Sequence, residues 1–464
     1  MMTLTATEAA LHRRRVFWRI HFWSALIASP FILIACVTGL LYVFTPQIER
    51  ALHGHLDQVV PQESRRPLDQ QLAAAREVTP SGWMLHSVVP AFDREDSTRV
   101  VFVPPPQAAG QRPTGAGQGG HGGHGGHGGQ TAQAEPQFLR PNFGIPTRAW
   151  VAYVNPYTAE VIGGLAESDR FATWARKLHS SLLQGDSWRW MIELAASWTL
   201  VMLMTGVYLW WPQREQASRT TTPLKGRLAW RRWHAWMGVG LGLVSIVIVA
   251  TGLTWSQYAG GQVKWLRDAT GQAPPRIPAS LKSTPVDGMK PLSWEAALAA
   301  GQREAPQVSL MMMAPKGADG VWRLNQMDRG DPTKRFDLLL DAYSGARLYY
   351  SGWDQQTAFG KATAIGIPFH RGEFGLWNQA VLFVFGIGVL FSLVSGWVMV
   401  WMRVRRGGRL LPEVPPGAWR RLGPVSWAGA LMALVAMPVL AVSALLVVVA
   451  EAWLGLRARQ RAVG

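Results

Sequence analysis

Four histidines stand at matching places in this 464-residue chain, and imidazole is the side chain that most often binds a transition metal. His21 precedes a Thr-Gly pair that begins at Thr38 by 17 positions. His234 precedes a second Thr-Gly pair, which begins at Thr251, by the same 17 positions. The equal spacing indicates a repeated segment with one histidine in each copy.

A second pair of histidines follows the same rule. His179 lies 26 positions before a Thr-Gly pair at Thr205, and His370 lies 25 positions before a Ser-Gly pair at Ser395. We therefore interpret the chain as two copies of one unit, each with a histidine-bearing apolar run, a polar domain, a histidine and a second apolar run. Small residues such as those of the Thr-Gly and Ser-Gly pairs allow helices, or a flat macrocycle, to come close, and we favour close packing between membrane helices.

Long apolar runs must position these histidines. Residues 26–44, 191–211, 237–255 and 381–401 each approach the roughly 20 residues that a helix needs to cross a bilayer. A fifth run, 425–453, is longer and contains Pro438, which is compatible with a kinked span or a helical hairpin. The sequence predicts an α-helical integral membrane protein with four core spans in two repeats, a C-terminal hydrophobic segment and two α+β domains outside the membrane.

The net charge of +17 follows from basic residues concentrated next to the apolar runs. The positive-inside rule places these segments in the cytoplasm and the two long polar segments in the periplasm of a bacterial inner membrane. The expected partner of this charge is the lipid bilayer, and no nucleic acid is expected. The predicted boundaries are a basic tail 1–15, spans and their preceding segments 16–45, 177–211, 230–257 and 368–402, cytoplasmic loops 212–229 and 403–424, periplasmic domains 46–176 and 258–367, and a C-terminal segment 425–464.

Each polar domain contains a helical pattern followed by alternating strand patterns and a tight turn. The first domain is interrupted at 105–141 by a stretch rich in Gly, Gln and Pro. Its HGGHGGHGG run spaces His121, His124 and His127 three residues apart, which predicts a weak accessory site for Cu, Ni or Zn. A disordered insertion without a metal is equally compatible with this composition.

Two sets of motifs carry a resemblance to a known family. The runs AYVNPYTAEVIG and LLLDAYSGARLYY resemble the closing hairpin of PepSY domains, and WRIHFW and WRRWHAWMG resemble helix starts of the PepSY-associated transmembrane family. That family includes iron-regulated inner-membrane proteins similar to siderophore ferric reductases, so the resemblance implies PepSY-like outer domains and a role in iron uptake. The histidine-rich insertion and the absence of a flavin or nicotinamide domain depart from those reductases.

Two histidines at each membrane face are what two six-coordinate haem b groups require. We predict that His21 and His234 hold an inner haem, that His179 and His370 hold an outer haem, and that Lys177 and Arg371 contact propionates. Ordinary interfacial histidines are the alternative, whereas zinc would need three or four ligands close together. The single cysteine excludes a CxxCH attachment site for c-type haem.

These inferences predict electron transfer from a cytoplasmic donor or the quinol pool to a ferric siderophore in the periplasm, with reduction of Fe(III) to Fe(II). No catalytic acid or base is needed, because the reaction is the transfer of one electron. A non-enzymatic PepSY protein that binds a partner, and a transport accessory for Cu or Ni, are the alternatives. The HGGHGGHGG run would serve the metal accessory.

Overall fold

The computed structural model describes residues 6–105, 144–211, 225–327, 330–415 and 417–463. In these ranges the helices are α1 (Ala6–Val43), α2 (Thr45–Asp57), α3 (Leu68–Glu77), α4 (Phe171–Ser181), α5 (Trp190–Trp210), α6 (Arg227–Gly240), α7 (Gly242–Leu253), α8 (Ala259–Ala269), α9 (Trp294–Glu304), α10 (Ala358–Arg371), α11 (Leu376–Val404), α12 (Pro424–Ala436) and α13 (Pro438–Val463). The strands are β1 (Met84–Val89), β2 (Thr98–Val103), β3 (Trp150–Val154), β4 (Val161–Ala166), β5 (Leu310–Met313), β6 (Val321–Gln326), β7 (Asp337–Asp341) and β8 (Arg347–Ser351). The predicted metal-binding run with His121, His124 and His127 lies outside the described residues.

The chain forms two compact units, each assembled from several stretches. The first, which we call the membrane unit, comprises Met1–Val43, Leu178–Thr270 and Trp377–Gly464. The second, the sheet unit, comprises Phe44–Lys177 and Gly271–Leu376. Both copies of the sequence repeat contribute to both units.

The helices of the membrane unit have the length and composition of membrane spans. Four candidates meet these criteria: Ala10–Val43, Asp186–Trp210, Leu376–Val404 and Pro438–Arg457. Helices α6 and α7 meet the criteria together, although the chain bends by 55° between them at Leu241. The chain is therefore a multi-pass membrane protein, and the span predicted over 230–257 is broken within a glycine-rich stretch, where helices commonly bend.

The C-terminal apolar segment is divided at Met437 into α12 and α13. With 13 residues, α12 is shorter than the roughly 20 residues of a span, whereas α13 has spanning length. Two polar contacts attach α13 to the other spans. The Trp198 indole donates to the Ser443 hydroxyl over 2.9 Å, and the Arg19 guanidinium pairs with the Glu451 carboxylate at 2.7 and 3.0 Å.

The sheet unit is built on one eight-stranded antiparallel sheet in the order β4-β3-β2-β1-β5-β6-β7-β8. The first copy supplies β1 to β4 and the second supplies β5 to β8, and the copies join where Val88 of β1 pairs with Met312 of β5. The two predicted α+β domains thus share a sheet. Pairing of β1 with β5 satisfies backbone groups that would otherwise be left at two sheet edges.

One helix from each copy packs on the same face of this sheet. Helices α3 and α9 share a core with the inward side chains of both sets of strands. Their N-termini cap each other: Asp69 on α3 accepts from the backbone N–H groups of Trp294 and Glu295, and Glu295 on α9 accepts from that of Leu68. Each carboxylate therefore accepts hydrogen bonds at the N-terminus of the other copy's helix, which is the positive end of the helix dipole.

Helix α2 covers part of the opposite face. Its Leu56 packs in a cluster with Val101, Val151 and Tyr153 of the first copy's strands. Arg170 holds the helix by pairing with Glu49 at 2.6 Å and with Asp57 at 3.2 Å.

Candidate functional site

The four histidines occupy two kinds of position. His21 lies within α1 and His234 within α6, both in the membrane unit. His179 lies in the last turn of α4, where the chain enters the membrane unit at Leu178, and His370 lies in the last turn of α10 in the sheet unit. All four residues are partly buried. The outer histidines therefore lie on short helices that precede the spans α5 and α11.

The structure brings His21 and His234 together. Their ring centres are 6.4 Å apart, and the ring planes are nearly perpendicular at 88°. An imidazole nitrogen binds a metal at about 2.0 Å, and the ring centre lies ~1.1 Å behind it, so rings on opposite sides of one metal have centres about 6 Å apart. The separation of the two ring centres is close to the value expected if both imidazoles held a single metal.

The hydrogen bonds of His21 define its tautomer. Its Nδ1 lies 3.0 Å from the carbonyl oxygen of Met202 and 3.1 Å from the hydroxyl of Thr205. A carbonyl oxygen can only accept a hydrogen bond, so Nδ1 must carry the proton. The lone pair of neutral His21 is therefore on Nε2, the nitrogen through which such a histidine binds a metal.

His234 has the same arrangement in the second copy. Its Nδ1 lies 3.0 Å from the carbonyl oxygen of Ser392 and 3.0 Å from the hydroxyl of Ser395. The Ser395 hydroxyl itself donates to the Ser392 carbonyl, which leaves its lone pairs to accept from the imidazole. Both rings are thus held in the tautomer that leaves Nε2 without a proton.

His179 is oriented by the remaining Thr-Gly pair of the first copy. Its Nδ1 lies 2.9 Å from the hydroxyl of Thr38 on α1. That hydroxyl donates to the carbonyl of Ile34 over 2.7 Å, so it accepts from the His179 N–H. His21 therefore contacts the pair on α5 and His179 contacts the pair on α1, which makes the arrangement reciprocal within one copy.

The glycine that follows each hydroxyl residue admits the imidazole ring. A Cβ placed on Gly206 would lie 3.3 Å from Cε1 of His21, and one on Gly39 would lie 3.4 Å from Cε1 of His179. For Gly396 the corresponding distance to Cε1 of His234 is 3.6 Å. A Cβ at Gly206 would be tighter than usual against the ring, whereas one at Gly39 or Gly396 would be in van der Waals contact with it.

The Thr-Gly and Ser-Gly pairs thus have a more specific role than the helix packing predicted from their size. At three histidines the hydroxyl orients the ring, and the glycine leaves space for it. The recurrence of the pair in four apolar runs was the signal in the sequence. The contacts of these pairs with the histidines could not be predicted, because spacing along the chain does not show which span packs against which.

The other predicted site residues are placed as follows. Lys177 lies on α4, two residues before His179, and Arg371 ends α10 beside His370. The Arg371 guanidinium pairs with the Glu373 carboxylate at 2.9 Å. The pairing of His179 with His370, and the propionate contacts of Lys177 and Arg371, stay predictions.

The donor set at His21 and His234 fits haem better than a bare metal ion. No group of three or more His, Cys, Asp or Glu side chains arranged for a metal occurs among the residues that the structure describes. Haem needs only two axial side chains, because the porphyrin supplies four nitrogens. Two imidazoles with unprotonated Nε2 atoms at this separation meet that requirement.

Comparison with known proteins agrees with the sequence motifs. The family model described as the PepSY-associated TM region matches residues 18–403, which include all four histidines, both sets of strands and helices α1 to α11 apart from their outermost ends. No curated protein matches the chain. The resemblance predicted from the hairpins and helix starts is confirmed. The chain belongs to the PepSY-associated transmembrane family.

Proposed function

We propose that this membrane protein transfers electrons through two haem b groups to a ferric chelate. The observation that carries the proposal is the pair His21 and His234, whose ring centres lie 6.4 Å apart with each Nδ1 bonded to a backbone carbonyl. The carbonyls and the hydroxyls of Thr205 and Ser395 fix both rings with Nε2 directed away from these partners. When bound, haem iron supplies a reversible one-electron couple.

A second haem is proposed at His179. The support comes from the contacts of the histidine, which repeat those of His21. The Thr38 hydroxyl lies 2.9 Å from Nδ1 of His179 and Gly39 lies beside its ring, as Thr205 and Gly206 do for His21. His370 is its proposed partner because it holds the corresponding place in the second copy. Two haems at opposite ends of the spans would connect the two sides of the membrane.

The proposed direction of transfer is outward across the bacterial inner membrane, with the N-terminus in the cytoplasm. The basic segments that flank the spans support this orientation. The proposed donor is a quinol or a cytoplasmic reductant, and the proposed acceptor is a periplasmic ferric siderophore. Oxidation of a quinol to a quinone releases two protons and two electrons. The two electrons reduce two Fe(III) centres to Fe(II). Hard oxygen chelators bind Fe(II) more weakly, so reduction releases the iron.

The first test is the spectrum of the intact protein purified in detergent, with haem quantified per chain. We expect two haems and a reduced-minus-oxidised spectrum of low-spin haem b. His21→Ala and His234→Ala should each alter the same haem, whereas His179→Ala and His370→Ala should alter the other. A colourless preparation would contradict the proposal and favour a non-enzymatic role in binding a partner.

His86 offers the matched control. It lies on β1 of the sheet unit at an irregularity between Leu85 and Ser87. Burial, together with the nearby charges of Lys316 and Arg148, lowers the pKa of His86 to about 4, so the ring is neutral near pH 7. His86→Ala should leave both haem spectra unchanged, and a loss of haem in this variant would show that histidine substitutions act through misfolding.

The activity is tested separately in liposomes that contain the intact protein. A reduced quinol is added to the membrane, and a ferric hydroxamate is supplied outside together with a chromogenic Fe(II) chelator. We expect Fe(II) to form at two equivalents per quinol, and formation to fall with His21→Ala but not with His86→Ala. A protein that binds two haems but forms no Fe(II) from a range of ferric chelates would overturn the reductase assignment alone.

A further inference from the structure

Helix α8 is held at the edge of the membrane unit by a buried carboxylate. Glu193, in the first turn of α5, is fully buried. Its two oxygens accept from the backbone N–H groups of Tyr258 and Ala259, each over 2.9 Å, where α8 begins. A carboxylate at the positive end of a helix is a strong anchor, so the start of α8 is fixed to the start of a span.

Nearby aromatic residues mark this level as a membrane boundary. Trp188 and Trp190 lie at the start of the span Asp186–Trp210, and Trp255 lies just after α7. The Trp255 carbonyl accepts from the Arg189 guanidinium over 2.5 Å, which brings both groups to one depth. Exposed tryptophans at span ends are typical of the interface between acyl chains and headgroups. Helix α8 therefore starts at the interface.

The residues of α8 divide into two arcs at 100° per residue. Tyr258, Trp265 and Leu266 fall within one arc together with Gln262, and Lys264 and Arg267 fall on the opposite side. The apolar arc is open: Trp265 is 68% exposed, Leu266 is 56% exposed and Tyr258 is 48% exposed. Within the part of the chain that the structure describes, this arc faces away from the protein core.

The corresponding helix of the first copy packs into the sheet unit, although its Leu52 is 51% exposed. Helix α2 also follows the first span of its copy, but its Leu56 is buried in the sheet unit. Its Glu49 and Asp57 are held there by Arg170. Helix α8 instead belongs to the membrane unit, which includes Leu178–Thr270.

We propose that α8 lies along the membrane surface and inserts Trp265 and Leu266 into the boundary between headgroups and acyl chains. Three observations support a lipid occupant: the anchor at span level, the open apolar arc and the lysine on the opposite arc at Lys264. An amphipathic helix of this kind buries its apolar face by about 5–10 Å and keeps its basic residues near the phosphates. The proposal does not depend on haem.

The single cysteine makes a direct test possible. Cys36→Ser keeps a donor for the Gly386 carbonyl, which Cys36 contacts at 3.1 Å, and gives a cysteine-free background. In that background Trp265→Cys and Leu266→Cys report the apolar arc, and Lys264→Cys is the matched control on the same helix. Each cysteine is labelled with the fluorophore NBD in the full-length protein, which is reconstituted into phosphatidylcholine–phosphatidylglycerol vesicles.

Two quenchers then locate each label. A nitroxide on the upper acyl chain of the lipid should quench the labels at 265 and 266 about twofold or more above the label at 264, and aqueous iodide should show the opposite order. Equal iodide quenching at all three sites would overturn the proposal, because α8 would then lie in water. Labels at 265 and 266 shielded from both quenchers would also overturn it, since the arc would then be covered by protein.

Discussion

The hydroxyl of Thr205 is the side-chain group that orients His21, and its removal is the most direct test of that role. We predict that Thr205→Val lowers haem affinity about tenfold, at the lower end of the 10- to 100-fold range for lost partners of a metal-binding histidine. The effect should be at the lower end because the Met202 carbonyl, 3.0 Å from Nδ1, still accepts. The measurement is the rate of haem transfer to excess apomyoglobin.

Two variants separate orientation from general damage. Thr205→Ser keeps the hydroxyl and should restore the wild-type rate of haem transfer. Thr199→Val removes a hydroxyl from the same helix that donates only to its own backbone, at Ala195 over 2.6 Å, and should have no effect. A Thr199→Val variant as impaired as Thr205→Val would count against the assigned role.

Gly206 tests the space beside the same ring. Because an alanine Cβ would lie 3.3 Å from Cε1 of His21, Gly206→Ala should displace the imidazole and weaken haem binding by ~1 kcal/mol, the lower limit for overpacking. Gly238→Ala is the control, since a Cβ there meets nothing within 4 Å. That variant should retain haem and gain stability from the higher helix propensity of alanine. Equal haem loss in both variants would contradict the steric argument.

At this scale the histidines could be predicted and their partners could not. The equal spacing of His21 and His234 from their Thr-Gly pairs is visible in one dimension. The structure pairs three of the four histidines with a Thr-Gly or Ser-Gly pair on the other histidine-associated span of the same copy: His21 contacts Thr205, not Thr38. Which pair a histidine contacts depends on which spans pack against each other, and the apolar runs alone do not show that packing.

At the level of helices and strands, the mutual capping of α3 and α9 couples the two copies. Asp69 accepts from Trp294 and Glu295 of the other copy, each at 3.1 Å. We predict that Asp69→Ala costs about 1–2 kcal/mol locally, as loss of a helix cap does, and therefore accelerates amide exchange in residues 294–304 by five- to thirtyfold. The measurement is hydrogen exchange of the intact protein followed by mass spectrometry.

The reverse substitution and an exposed acid complete this experiment. Glu295→Ala should accelerate exchange at the start of α3, because Glu295 accepts from the Leu68 N–H over 2.7 Å. Asp319→Ala removes an exposed carboxylate that pairs with Lys282, and it should change little. Acceleration restricted to the helix that carries each substitution would show that the caps do not connect the copies.

The sequence patterns predicted most helices and strands. They did not predict all of the strand pairings or the break in one of the spans. The helical pattern predicted in each polar domain and the strand patterns that follow it correspond to α3, α9 and the eight strands. The pairing of β1 with β5 was not predicted, because alternation shows which face of a strand is buried and not which strand lies beside it. The break at Leu241 was also missed, since glycines are common in membrane helices.

At the scale of the whole molecule, the C-terminal helix α13 breaks the symmetry of the two copies. The family model ends at residue 403, so α13 lies beyond the matched region. Yet Glu451 on α13 pairs with Arg19 at 2.7 and 3.0 Å and also accepts from the indole of Trp23. Arg19 and Trp23 are each two residues from His21, so α13 contacts the part of α1 that carries this histidine.

This contact gives a prediction that distinguishes the two proposed haems. The side chains of Arg19 and Glu451 are only 11% and 23% exposed, so neutralising Glu451 leaves a largely buried guanidinium without its counter-charge. Glu451→Gln should lower the unfolding temperature by several degrees, equivalent to about 1–3 kcal/mol. It should also raise the midpoint potential of the haem assigned to His21 and His234, because a negative charge nearby is lost, without changing the other.

A double-mutant cycle and a surface control decide whether the pair itself is responsible. Removing both charges in Arg19→Gln/Glu451→Gln should cost less stability than the sum of the two single substitutions, because no buried charge is then left alone. Glu413→Gln breaks the exposed pair with Arg409, in which both side chains are more than half exposed, and should change neither quantity. Additive losses in the cycle would mean that Arg19 and Glu451 act independently, and equal shifts of both haem potentials would mean that α13 does not act through α1. A non-additive loss of stability, together with a shift in the potential of only the haem assigned to His21 and His234, would establish that α13 affects one of the two proposed haems from outside the matched family region.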